Sequence, residues 1–274
     1  MKMLTKISRI AKNIYFELYS FSRNLLLIKN RKTDQRRRLD SSVLNCVVSY
    51  NKYGGYCIPK SSCHRPAARA VLKKRIWEPN TIQYVIDNCG EGDVIHAGTF
   101  FGDFLPAFSQ AIDSRATVWA FEPNIESFRC AEITINLNDI QNVELRNTGL
   151  GEKSDFLRLA TKDVNGVSLG GSSRILNHQP TNASGTEVVQ IVTIDDTVEQ
   201  NRHVSIIQLD VEGYEKQALA GAIQTINRCR PIIILEILPD SNLLDSDWFK
   251  DNILALGYRK TGEVHNNSIF RCNT

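Results

Sequence analysis

The sequence contains no apolar run approaching the roughly 18 residues of a membrane-spanning helix, which argues against a transmembrane protein. It has no internal repeat and no long low-complexity tract, so a solenoid or a disordered chain does not fit. No two of its seven cysteines stand as Cys-x-x-Cys, and their number is odd. With no secretory leader ahead of them, reduced thiols in a cytoplasmic protein are the expectation. Cys57, Cys63 and His64 lie close together, yet no fourth ligand with zinc-type spacing accompanies them, and no metal is expected.

What is present fits one α/β domain with an extension. The 274 residues are 42% hydrophobic and 23% charged, enough for a large core and too apolar for disorder. Charge is unevenly placed. Residues 1–40 carry +8 of a net +3, which leaves the remainder mildly acidic. Within residues 4–28, Ile7, Ile10, Ile14, Leu18, Phe21, Leu25 and Ile28 recur at steps of three and four, with Lys and Arg among them. Such a helix either packs on its own domain or a partner subunit, or lies on the inner face of an anionic membrane. Thr33–Asp40 reads as a linker. The expected organisation is a basic amphipathic extension over 1–40, a cap or substrate-side segment over 41–80, and a ligand-binding α/β domain over 81–274.

Residues 41–80 give little periodicity. Tyr53-Gly54-Gly55-Tyr56 reads as a turn, Ala67–Ile76 as a helix, and a short helix runs from Pro79 to Asn88. From Asp93 the pattern is regular. Strands are expected at 94–95, 117–121, 143–146, 155–160, 187–194, 205–209 and 232–237, with a closing pair at 257–261 and 267–272. Helices are expected at 102–112, 124–137, 215–226 and around 248–256. Strands alternating with helices imply a mostly parallel sheet covered on both faces. The closing pair suits an antiparallel edge.

Ligands of such sheets bind at the carboxyl ends of the strands, near the switch in strand order. After the first strand stands Gly98-Thr99-Phe100-Phe101-Gly102-Asp103, a turn that lets a ligand approach backbone and places a helix N-terminus nearby. After the second strand, Glu122 lies twenty residues beyond Gly102 and is followed by Pro123, the position from which an acid accepts hydrogen bonds from ribose hydroxyls. After the strand at 205–209 comes Asp210-Val211-Glu212-Gly213-Tyr214-Glu215. Extended backbone would point Asp210 and Glu212 the same way, whereas capping a helix is the plain role for Glu212 or Glu215. Glu236, in an otherwise apolar strand, must be paired or reach the site.

Together with Arg230-Pro231-Ile232-Ile233-Ile234-Leu235-Glu236, these segments resemble the FkbM family of methyltransferases, and Asp210-Val211-Glu212-Gly213 is the most specific piece. The resemblance implies a class I, Rossmann-like, seven-stranded fold and S-adenosylmethionine as cofactor. It also implies O-methylation of a hydroxyl on a sugar, glycan or natural-product acceptor. Under it, Glu122 and Pro123 serve the ribose. His96, Gly98, Thr99, Phe101, Gly102 and Asp103 serve the methionine end. Asp210 touches the cofactor and, with Glu212, orients or deprotonates the acceptor, with Glu236, His96 and His265 next in line as bases.

One position departs from the family, which carries Asp where His96 stands here. That departure keeps a catalytically silent cofactor-binding module as a rival. An NAD-dependent oxidoreductase is a weaker rival, because Gly98 and Gly102 have no third glycine to complete Gly-x-Gly-x-x-Gly. The acidic body argues against a nucleic-acid partner.

Overall fold

The computed structural model describes residues 43–176 and 184–272. The amphipathic segment at 4–28, and with it the whole extension over 1–40, lies outside the described residues. Residues from Leu44 onward form one compact unit.

That unit is organised by a seven-stranded sheet. In chain order its members are β3 (Asp93–Ala97), β4 (Val118–Phe121), β5 (Val143–Arg146), β10 (Val204–Leu209), β11 (Ile232–Glu236), β12 (Tyr258–Val264) and β13 (Asn267–Cys272). Across the sheet they lie in the order β12-β13-β11-β10-β3-β4-β5. β3, β4, β5, β10 and β11 run parallel, and β13 pairs antiparallel to both β11 and β12. The expected antiparallel edge is therefore present, and strand order switches beside β3.

Strand periodicity separates two apolar layers. Ile95, Ala97, Ile207, Leu209, Ile233 and Leu235 pack with Ala218, Leu219, Ile226 and Phe249 on one face. Val94, Ile206 and Ile234 pack with Ile82, Val85, Leu105 and Phe108 on the other. The helices that cover the sheet include α2 (Pro79–Asn88), α3 (Leu105–Ala111) and α4 (Ile125–Leu137), followed by the short α5 (Ile194–Thr197), α6 (Glu215–Ala220), α7 (Ile223–Cys229) and α8 (Asp247–Asn252).

Several expected boundaries shift for local reasons. The helix expected at 102–112 starts only at Leu105, because Phe100 (φ 50°) and Gly102 (φ 82°) hold the chain in left-handed turns first. The helix expected at 215–226 is broken into α6 and α7 at Gly221-Ala222. A side chain at Gly221 would collide with the Gly151 carbonyl, and Asp195 caps the restart by accepting from the Gln224 and Thr225 N–H groups. The helix expected at 67–76 is α1 (Pro66–Leu72), which ends before Lys74 turns left-handed.

Two features were not legible. Residues 46–59 form a hairpin, β1 (Cys46–Asn51) with β2 (Gly54–Pro59). The outer edge of β2 is satisfied by side chains of α4 and its cap. Asn138 bonds both the N–H and the carbonyl of Gly55, and Thr134 accepts from the Cys57 N–H. A second, four-stranded sheet joins β6 (Gly149–Leu150), β7 (Asp155–Ala160), β8 (Arg174–Ile175) and β9 (Thr186–Val192) in the order β6-β9-β7-β8.

Candidate functional site

The carboxyl ends of β3, β4 and β10 open onto two chambers that share Gly98, Asp210 and Gly171. One is walled by Phe121, Pro123, Leu150, Leu159, Ile175 and Tyr214, with Glu122 in its lining. The other is lined by Arg65, Glu78, Asp103, Asp210, Glu212 and Glu236, with Trp77, His96 and Phe104 beside them.

Gly98 is the hinge between them. Its φ is +87°, and a Cβ there would stand 1.9 Å from the Asp210 carbonyl oxygen. Only glycine leaves the two strand ends this close. The Asp210 N–H in turn bonds the Ala97 carbonyl at 3.0 Å.

Glu122, at the end of β4, is buried at 5% exposure. Its two oxygens accept the Phe100 N–H at 2.7 Å and the Asn124 N–H at 2.8 Å. Burial raises its pKa to about 8, against the opposing pull of those two bonds, with Glu187 and Asp103 adding repulsion. The carboxyl thus braces the Gly98–Asp103 turn and still has lone pairs free for a ligand.

Asp210 lies where the chambers meet. Burial holds its pKa well above the usual carboxylate range, and the charge of the neighbouring, hydrogen-bonded Glu236 raises it further. Glu212 does not follow on an extended backbone as expected. It sits at φ 53°, yet its carboxyl also lines the polar chamber, near Ser172, Arg65 and Arg174. Glu215 takes the plain role: buried, it accepts the Val211 and Gly213 N–H groups at 3.3 and 3.0 Å and holds the loop in shape. Asp103 is raised to about 7 by burial and by the charge of Glu78.

His96, 2% exposed, lies between Phe104, stacked at 5.4 Å, and the edge of Phe108. Its Nδ1 bonds Gln208 Oε1 across the β3–β10 register, while its Nε2 has no partner. Burial lowers its pKa to about 4, so the ring is neutral near pH 7.

Not every expected residue reaches the chambers. Thr99, Phe101 and Gly102 line neither of them. Thr99 bonds the His96 carbonyl, Phe101 packs with Tyr56, and Gly102 sits against Leu105 and α4. Conversely Arg65, Trp77, Glu78 and Gln208 were missed. Gln208 had a signal: it is polar in a central strand and pairs in register with another polar residue, His96. Glu78 had none, since its position depends on a left-handed turn ahead of α2. His265 stands outside, 3.7 Å from Glu78. Among the described residues no group of His, Cys, Asp and Glu is placed to hold a metal ion, and no helix is long and apolar enough to cross a membrane.

A model of the FkbM methyltransferase domain matches residues 88–259, which include the carboxyl ends of β3, β4 and β10 that form the crevice. The chain belongs to the FkbM methyltransferase family. Its seven-stranded sheet is the class I methyltransferase fold, and S-adenosylmethionine is the cofactor that membership assigns to the crevice. The residues present fit that molecule: a mostly apolar chamber for the adenine, a buried acid in its lining, and a glycine whose missing Cβ lets the two strand ends approach.

Among solved structures, this FkbM domain is similar to the FkbM methyltransferase of Methylobacillus flagellatus KT, at 16% identity and a TM-score of 0.45. The match covers 66% of this chain and 43% of that one, so the chain spans less than half of that protein's length. It is also similar to a SAM-dependent methyltransferase of Aquifex aeolicus, at 14% identity, 72% and 88% coverage and a TM-score of 0.38. A third likeness is a tRNA (uracil-54, C5)-methyltransferase of Pyrococcus abyssi bound to S-adenosyl-L-homocysteine, at 11% identity, 82% and 43% coverage and a TM-score of 0.41. No curated protein matches the sequence.

Proposed function

We propose that this chain catalyses S-adenosylmethionine-dependent O-methylation of a hydroxyl on a small-molecule or glycan acceptor. The observation that carries the reading is the meeting of a mostly apolar chamber with a carboxyl-lined one at Gly98 and Asp210. When bound, S-adenosylmethionine supplies an electrophilic methyl group. The chain's task is then alignment and proton removal.

Glu122 would accept the ribose hydroxyls, with Pro123 and Tyr214 against the adenosine. Gly98, Asp103 and His96 would face the methionine end. Fixing the acceptor oxygen in line with the methyl carbon is worth up to about 7–11 kcal/mol in ideal cases. Asp210, paired with Glu236, would take the hydroxyl proton. A carboxyl that burial and neighbours hold high is a stronger base, and an arriving positive charge restores its ionised form. Glu212 would orient the acceptor from the far side of Gly213.

The test is methyl transfer from S-adenosylmethionine across a panel of hydroxyl acceptors, read as release of S-adenosylhomocysteine. Acceptor-dependent release is the expected result. Tight S-adenosylhomocysteine binding with no transfer to any acceptor would favour the second reading, a non-catalytic binding module. His96 is the observation behind that reading, since it puts a neutral ring where the family has an acid.

A further inference from the structure

S-adenosylmethionine ends in an amino acid, so the chamber that takes this end must meet both an ammonium and a carboxylate. The carboxyl-lined chamber offers acceptors for the ammonium on every side. A partner for the carboxylate is harder to find. Among the described residues that line the two chambers, one side chain carries a permanent positive charge, that of Arg65.

The backbone and the neighbours of Arg65 hold it in place. It stands just before α1, extended at φ −72° and ψ 148°, with Pro66 following and its N–H bonded to the Ser62 carbonyl at 2.9 Å. Its side chain is partly buried. Nη2 donates to the Ser172 hydroxyl, and Ser172 in turn bonds Glu212. This relay anchors the guanidinium without exhausting its five N–H groups. Nε is buried and has no hydrogen-bond partner. A buried donor without an acceptor is costly unless a ligand supplies one.

The charge of Arg65 is not cancelled by its surroundings. Among the described residues it forms no ion pair. Glu212 lies near it but also near Arg174, so two guanidiniums face one carboxyl. Burial pushes Glu78, Asp103 and Asp210 toward their neutral forms, which weakens their claim on the guanidinium.

We propose that Arg65 binds the carboxylate at the methionine end of the cofactor, reaching it from a segment that precedes the matched family domain. A planar guanidinium suits a carboxylate, which accepts two N–H bonds side by side. Arg65 needs only the cofactor for this role, whatever hydroxyl is methylated.

The test is isothermal titration of the full chain with S-adenosylhomocysteine, with its decarboxylated analogue S-adenosyl-3-thiopropylamine, and with 5′-methylthioadenosine, which lacks the whole amino acid. Arg65→Gln should weaken S-adenosylhomocysteine by about tenfold or more, the share of one charge-assisted hydrogen bond. The other two compounds should bind this variant as tightly as the wild type or more so, since neither has a carboxylate to lose. Their binding also certifies the variant's fold. Arg65→Lys, which keeps the charge and loses the fork, should fall between the two. Equal weakening of all three compounds gives Arg65 a structural role, and no weakening of any puts the carboxylate elsewhere; either result overturns the proposal while the cofactor assignment stands. If the wild-type chain gives no heat with S-adenosylhomocysteine, the cofactor assignment itself fails, and this role falls with it.

Discussion

Replacing Glu122 with Ala isolates the carboxyl that joins the fold to the nucleoside. In the native chain its oxygens take the Phe100 and Asn124 N–H groups at 2.7 and 2.8 Å. Two ribose hydroxyls would add charge-assisted bonds to the same carboxylate, each worth about 1.5–3 kcal/mol. Removing them, with partial relaxation of the turn, should weaken S-adenosylhomocysteine binding by about 3 kcal/mol, roughly a hundredfold. The assay is isothermal titration, with a thermal melt of the unliganded variant to separate lost binding from lost fold. The pH dependence gives a second handle. The folded pKa of about 8 lies above the ordinary 4.5, so this group's contribution to stability is complete below pH 4.5 and is lost as pH rises through about 8. Binding runs the other way, since hydroxyl donors prefer the ionised acid. Affinity should therefore climb as pH passes about 8, with proton release, and the Ala variant should lose that limb. Affinity within about threefold of wild type, on a folded variant, would refute the assignment.

Asp210→Asn should lower turnover by about 10²–10⁴ while S-adenosylhomocysteine affinity changes far less, as steady-state kinetics beside calorimetry will show. Gly98→Ala forces a Cβ against the Asp210 carbonyl in a left-handed backbone, and should cost about 2–4 kcal/mol in urea denaturation together with nucleoside binding. Arg202→Ala lies far from the crevice and tests the frame alone. It strips the guanidinium from buried Asp93, which also accepts the Trp119 indole N–H at 2.8 Å and the Thr117 N–H at 2.9 Å. A loss of about 3 kcal/mol in denaturant, with unchanged S-adenosylhomocysteine affinity per folded molecule, is expected.

The sheet was legible because its signals are local and redundant. Runs such as Ile232-Ile233-Ile234-Leu235 read as buried strands, and β5 falls on the expected residues. The hairpin at 46–59 was not legible, because the edge of β2 is satisfied by Thr134 and Asn138, some eighty residues away. The same holds within the site. Glu122 announces itself by its place after a strand and its spacing from the glycine turn. Glu78 and Arg65 come from segments with no periodic pattern, and only the folded chain brings them to the chamber wall. Phe100 and Glu212 hold left-handed conformations that no bulky side chain advertises, so the turn and the loop they shape could be located but not drawn.

His96 shows how one side chain of a central strand can set a site's chemistry from within its frame. An acid here would add a sixth carboxyl to a wall already carrying five, all competing for protons. A neutral imidazole avoids that repulsion. Gln208 bonds its Nδ1 from the neighbouring strand, and Phe104 and Phe108 fix its plane. What remains is one unpartnered ring nitrogen at a set place, on a ring too weakly basic near pH 7 to compete with Asp210 for a proton. On this reasoning His96→Asp would act on more than its own position. It would raise the neighbouring acids further and shift any pH optimum that Asp210 sets toward higher pH. An unchanged pH profile in that variant would mean that the two groups do not share a field.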